Sequence, residues 1–184
     1  MKVLILVSVF IVSLVSVNAV AQTKEVYLNR DIGFNVKGYK YNQEELPCEV
    51  DKYLVEDLVE RGKKQDLNFT TVGTGDKIDK PNAPVLAIEI DSLSLGKEGF
   101  NFGRRGADNV LPAVKVTAAL IRGEDQGGNV LAKHSCAILH VNEVSPGSSG
   151  ILDMGTYGVT VCDATKKCLR ELNSDVVDWV KPQV

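Results

Sequence analysis

Three long runs of alternating apolar and polar residues dominate the stretch from Val85 to Val141. In Val85 to Leu95, Leu86, Ile88 and Ile90 point one way and Ala87, Glu89 and Asp91 the other. In Leu111 to Arg122, Val114, Val116, Ala118 and Leu120 alternate with Lys115 and Thr117. Val130 to Val141 is the third run, and its far end is apolar on both faces. A period of two over this length predicts β-strands half-buried on a core, and the third run reads as a central strand covered on both sides. The Gly, Glu and Asp residues of 123–128 supply hairpin-turn chemistry between the second and third runs. Shorter strand-like runs lie at Lys24 to Leu28, Ile32 to Val36 and Asn68 to Val72, the first two parted by an Asn29-Arg30-Asp31 turn.

Two segments change to the helical period. From Pro47 to Arg61, Val50, Leu54, Val55 and Leu58 share a face opposite Glu49, Lys52, Glu56 and Glu60. Pro47 suits a first turn and Gly62 suits an exit. Near the carboxyl terminus Thr165, Cys168, Leu169, Leu172, Val176, Trp179 and Val180 form one stripe, with Asp163 as a natural N-cap and Pro182 as the stop. Tyr157 to Cys162 reads either as a strand leading in or as an earlier helical turn. Two one-sided helices need one face of a sheet to cover. The expected fold is α+β: a two-layer sandwich, mainly antiparallel, with both helices on one face.

The amino terminus has another character. Met1-Lys2 is followed by an apolar run from Val3 to Val17 and then by Ala19-Val20-Ala21. That is the layout of a secretory signal, predicting cleavage before Gln22. Residues 1–21 are then a signal peptide and 22–184 a single α+β domain, secreted or periplasmic, with no stable membrane insertion after cleavage. Removing 21 of 184 residues leaves 163, enough to bury a core without help from disulfides. Without Lys2 the balance is 20 basic against 24 acidic side chains, an acidity that argues against a nucleic-acid partner.

Cys48, Cys136, Cys162 and Cys168 remain. An even count in an oxidising compartment reads as two disulfides, with three connectivities open. Cys162 with Cys168 is an awkward pair if both lie on one helix, where six residues separate them by ~9 Å. No spacing matches a zinc site, and no motif calls for a cofactor. His134, Cys136 and His140 share one face of a strand, but the two histidines would be ~20 Å apart, too far for one ion. Cys136 with His134 leaves open a small thiol-dependent hydrolase, which needs a free thiol beside its base. Glu89 and Asp91 could act as acid and base, although pairing with Lys115 across the sheet is the simpler role. Asn68-Phe69-Thr70 matches a glycosylation sequon.

The richest stretch for recognition is Gly96 to Asn109, where Phe100, Phe102, Arg104 and Arg105 sit among four glycines between two strands. Aromatic and arginine side chains are the residues that dominate protein contacts. A carrier holding an apolar ligand between sheet and helices is a further reading. In element order, from the leader through the helix at Pro47–Arg61, the three long strands and the closing helix to Trp179, the chain resembles small bacterial envelope proteins. These include outer-membrane lipoproteins of unknown function, transport-auxiliary lipoproteins and the amino-terminal domain of the Tol translocation protein. The resemblance implies a compact α+β domain that binds an envelope protein partner and catalyses nothing. The chain departs from the lipoproteins in having no cysteine between its apolar leader and Cys48.

Overall fold

The computed structural model describes residues 23–36, 46–95, 112–123, 127–138 and 161–184. The elements are β1 (Lys24–Asn29), β2 (Gly33–Phe34), α1 (Val50–Lys64), β3 (Leu67–Val72), β4 (Val85–Ser94), β5 (Ala113–Ile121), β6 (Val130–Ala137) and α2 (Val161–Val180), with 3-10 turns at Pro47–Glu49 and Lys181–Gln183. The expected leader at 1–21 lies outside the described residues.

One sheet runs in the order β3-β1-β4-β5-β6, with β2 added beside β4. The α+β sandwich read from the pattern is present, and its sheet is mixed. β4, β5 and β6 form the antiparallel part, with Ile88 opposite Ala118 and Val116 opposite His134. β1 is parallel to β3 and to β4, with Val26 beside Phe69 and Leu28 beside Leu86. β1 leaves β4 at Asn29, makes a detour through buried Ile32, and the chain rejoins β4 as β2, with Phe34 beside Ile90. The parallel register follows from α1, which carries the chain back across the helical face so that β3 can pair with β1 in the same direction.

The core is the layer between sheet and helices. The inward residues Val26, Leu28, Leu86, Ile90, Val114, Val116 and Leu120 meet Leu54 and Leu58 of α1 and Leu169, Leu172 and Val176 of α2. In α1 the buried positions Val50, Leu54, Leu58 and Gly62 recur every four residues, one row down one side of a helix.

Gly62 is not the helix exit. The helix continues to Lys64, and Asp66 takes the left-handed turn at φ 62°. A Cβ on Gly62 would lie 2.6 Å from Cε2 of Phe69 and closer still to Cδ2. The glycine is there so that α1 can approach β3. The third strand also differs from expectation. β6 is the last strand of the described sheet, not a covered central one, and its outward residues Leu131, Lys133, Ser135 and Ala137 are exposed. Residues 139–141, whose apolarity suggested two covered faces, lie outside the described residues.

Candidate interaction surfaces

The cysteine and histidine constellation resolves into structure. Cys48 is bonded to Cys162, with Cα atoms 5.2 Å apart, and Cys136 to Cys168, at 5.4 Å. The first bridge joins the turn that opens α1 to the start of α2; the second joins β6 to the middle of α2. With its sulfur in a disulfide, Cys136 has no thiol to act as a nucleophile, which overturns the Cys136/His134 hydrolase. His134 instead lays its ring edge-on to Trp179 of α2, centroids 5.6 Å apart. Burial holds its pKa below the ordinary imidazole value, partly offset by the carboxylate of Asp175. Its Nε2 is buried with no hydrogen-bond partner. His140 lies outside the described residues.

Cys48 and Glu49 have φ values of 59° and 51°, two adjacent side-chain-bearing residues in the left-handed region. The chain therefore turns sharply just where the first bridge is anchored.

The Glu89, Asp91 and Lys115 group is rearranged by a bulge. Pairing slips between Ile90 and Ser92, so Lys115 faces Ser92 and Glu89 faces Thr117. Asp91, in the bulge, accepts a hydrogen bond of 2.7 Å from the Thr117 hydroxyl. The expected cross-strand pairing with Lys115 is replaced by that bond.

The sequence reading missed a polar seam between the helices. Asp57 Oδ2 accepts from Arg61 Nε at 2.7 Å and from Asn173 Nδ2 at 2.9 Å. Asn173 is fully buried and also donates to the Leu54 carbonyl at 3.3 Å. The signal was legible, because Asn173 stands four residues from Leu169 on the buried side of α2. Nearby, Lys166 Nζ sits 5.7 Å over the ring of Tyr53. These contacts register α1 against α2 and are not arranged for chemistry.

Two surfaces remain. The first is the face of the sheet away from the helices. Over β1 it is crossed by the segment joining β3 to β4, whose Lys80 donates its backbone N–H to the Tyr27 hydroxyl and pairs with Glu25. Over β4, β5 and β6 it carries Leu131, 69% exposed, and Ile121, 45% exposed, the two exposed large apolar side chains among the described residues. The second is the end of the sheet where β4 stops and β5 begins. Ala113 pairs with Ala137 there, Ile138 donates to the Pro112 carbonyl at 2.9 Å, and the Cys48–Cys162 bridge ties the two helix starts together. Residues 96–111, with Phe100, Phe102, Arg104 and Arg105, come between β4 and β5 in the chain and lie outside the described residues.

No family model matches the chain, and no curated protein matches it. Among solved structures it is similar to a Xanthomonas campestris protein of the family DUF330, at 14% identity and TM-score 0.43, covering 87% of this chain and 84% of that one. It is also similar to PelC from Paraburkholderia phytofirmans, solved as a dodecamer, at 13% identity and TM-score 0.41, covering 84% and 88%. A homologue of neuraminyllactose-binding hemagglutinin from Helicobacter pylori gives 11% identity and TM-score 0.40, covering 89% and 84%. Likenesses at these values carry neither activity nor partner across.

Proposed function

We propose that the protein is a secreted or periplasmic, non-catalytic binding or assembly protein of the cell envelope. Its partner is another envelope protein, contacted through Phe100, Phe102, Arg104 and Arg105. One observation carries the reading: all four cysteines are joined in two disulfides, the pairing of an oxidising compartment. Cross-linking spends the chain's sulfur on rigidity, and one bridge fixes the end of the sheet where β4 stops and β5 begins, the two strands that residues 96–111 join. A loop held at both ends by a rigid scaffold loses less entropy on binding, which favours recognition. The space an apolar ligand would need is filled by Leu54, Leu58, Leu169 and Leu172, all fully buried.

The test is pull-down with chemical crosslinking from envelope extracts, comparing the native chain with Phe100→Ala/Phe102→Ala. Loss of a specific band in a folded, secreted double variant supports the assignment. Unchanged partners reject the loop as the site, and recovery of the protein only in the reduced cytoplasmic fraction rejects the location.

A further inference from the structure

The helix-free face of β4, β5 and β6 is built in rows across the three strands. Register places Val85 beside Ile121, then Ala87, Ala119 and Leu131 in one row. Glu89, Thr117 and Lys133 form the next, followed by Ser92, Lys115 and Ser135, and by Ser94, Ala113 and Ala137. Three properties stand out. The middle of the face is flat, because most of its residues are Ala, Ser or Thr. Its exposed apolar bulk is at one end, in Ile121 and Leu131. Its charge is divided by strand, with Glu89 and Asp91 on β4 and Lys133 on β6, leaving β5 as the midline.

That division is self-complementary. A two-fold axis running along β5, between two such faces, exchanges the β4 side with the β6 side at the same row. Lys133 of each copy then stands over Glu89 of the other, and the interaction is made twice. The same operation sets Leu131, the largest projection on the face, over Ala87, one of its smallest residues. It also brings Ile121 against its own counterpart. Neither Glu89 nor Lys133 forms an ion pair among the described residues, so neither must break one to do this. Within one chain the two lie two strands apart, ~10 Å between backbones, and no ion pair joins them. We infer that this face is the interface of a two-fold dimer, in which a second copy of the chain covers β4, β5 and β6.

The size of the face sets the strength. Three strands of eight to ten residues give a surface about 15 Å by 28 Å, which places total burial below about 1,200 Å². A weak dimer results, with a Kd of tens to hundreds of micromolar. One contact opposes it. Lys115, exposed on the midline strand, faces its own counterpart across the axis. Its stem can lean aside over Ser92 or Ser135 and keep the ammonium in water.

Sedimentation equilibrium of the mature oxidised chain between about 5 and 500 μM, in low salt, tests the inference. The native chain is expected to shift from monomer toward dimer across that range. Glu89→Lys and Lys133→Glu each put two like-charged pairs into the interface and should weaken association about tenfold. An equimolar mixture of these two variants restores both opposite-charge pairs and should associate more tightly than either alone. Leu131→Asp should abolish dimerisation, and Lys115→Ser should strengthen it severalfold. All four positions are exposed, and thermal melts confirm that each variant is folded. A native chain that stays monomeric to 500 μM overturns the inference. So does a dimer that ignores the face substitutions, which would lie elsewhere on the surface, or one that the mixture fails to restore. These results are independent of the Phe100/Phe102 experiment, because no substitution here touches that loop.

Discussion

Replacing Gly62 by alanine sets two well-known effects against each other. In the interior of an exposed helix the change stabilises by about 0.8–1.0 kcal/mol, because glycine gives up more backbone freedom than alanine. Gly62 has no positive φ to protect, so that gain is available here. Against it, the new Cβ would be 2.6 Å from Cε2 of Phe69, roughly 1 Å inside ordinary carbon contact, and Leu67's carbonyl oxygen stands at 3.0 Å. Phe69 is 4% exposed and hemmed in by the core, so it cannot simply turn away. Overpacking of this kind costs about 1–3 kcal/mol, and an overlap with a ring and a backbone atom together belongs at the upper end. The expected net loss is about 1–2 kcal/mol. With a urea m-value of about 2 kcal/mol/M, the midpoint should fall by about 0.5–1 M. Phe69→Leu opens space on the strand side, so Gly62→Ala should cost less in that background, with a coupling of about 1 kcal/mol or more. A Gly62→Ala protein as stable as the native one would refute the close-approach account of this glycine. A double-mutant cycle with no coupling would refute it equally.

Two further expectations rest on the bridges and the histidine. Cys136→Ala/Cys168→Ala opens a loop of sequence separation 32 and should cost about 3–4 kcal/mol in urea melts without reductant; a loss under about 1 kcal/mol would show the bridge constrains little. His134 has its pKa lowered by burial, so the unfolded chain binds the proton more readily than the folded one. Stability is therefore complete above the ordinary imidazole pKa of about 6.5 and declines as pH falls through and below it. His134→Gln should reduce the drop in urea midpoint between pH 7.5 and pH 5.5, and an unchanged drop would assign the acid sensitivity to other groups.

Element type was legible wherever the period was long. The three alternating runs became β4, β5 and β6, and the two amphipathic stripes became α1 and α2, because one-sided burial imposes its own spacing on the sequence. Pairing was less legible. β1 alternates Val26 and Leu28 with Glu25, Tyr27 and Asn29, a pattern that an edge strand shares with a central strand solvated on one face. What makes it central is α1, which returns β3 to its side, and the β3–β4 segment, which covers Tyr27. Gly62 was misplaced because a glycine near a helix end and a glycine under an aromatic ring look alike without the ring. The bulge at Asp91 left no mark in the alternation that precedes it. The even cysteine count pointed to two disulfides, but choosing among three pairings needed the fold. Asn173 could have been read from its place in an apolar row, whereas its partner Asp57 looks like any solvated helix carboxylate.

The two disulfides interleave along the chain, in the order Cys48, Cys136, Cys162 and Cys168, with first joined to third and second to fourth. A single cut between Cys48 and Cys136 leaves its fragments linked through the first bridge. One between Cys162 and Cys168 leaves them linked through the second, and one between Cys136 and Cys162 is spanned by both. Over the 120 peptide bonds from position 48 to position 168, then, a protease that nicks the backbone once cannot divide the molecule. Such a nicked chain would migrate as one species on a non-reducing gel and as two after reduction. After one such cut, only reduction of the bridges separates the pieces.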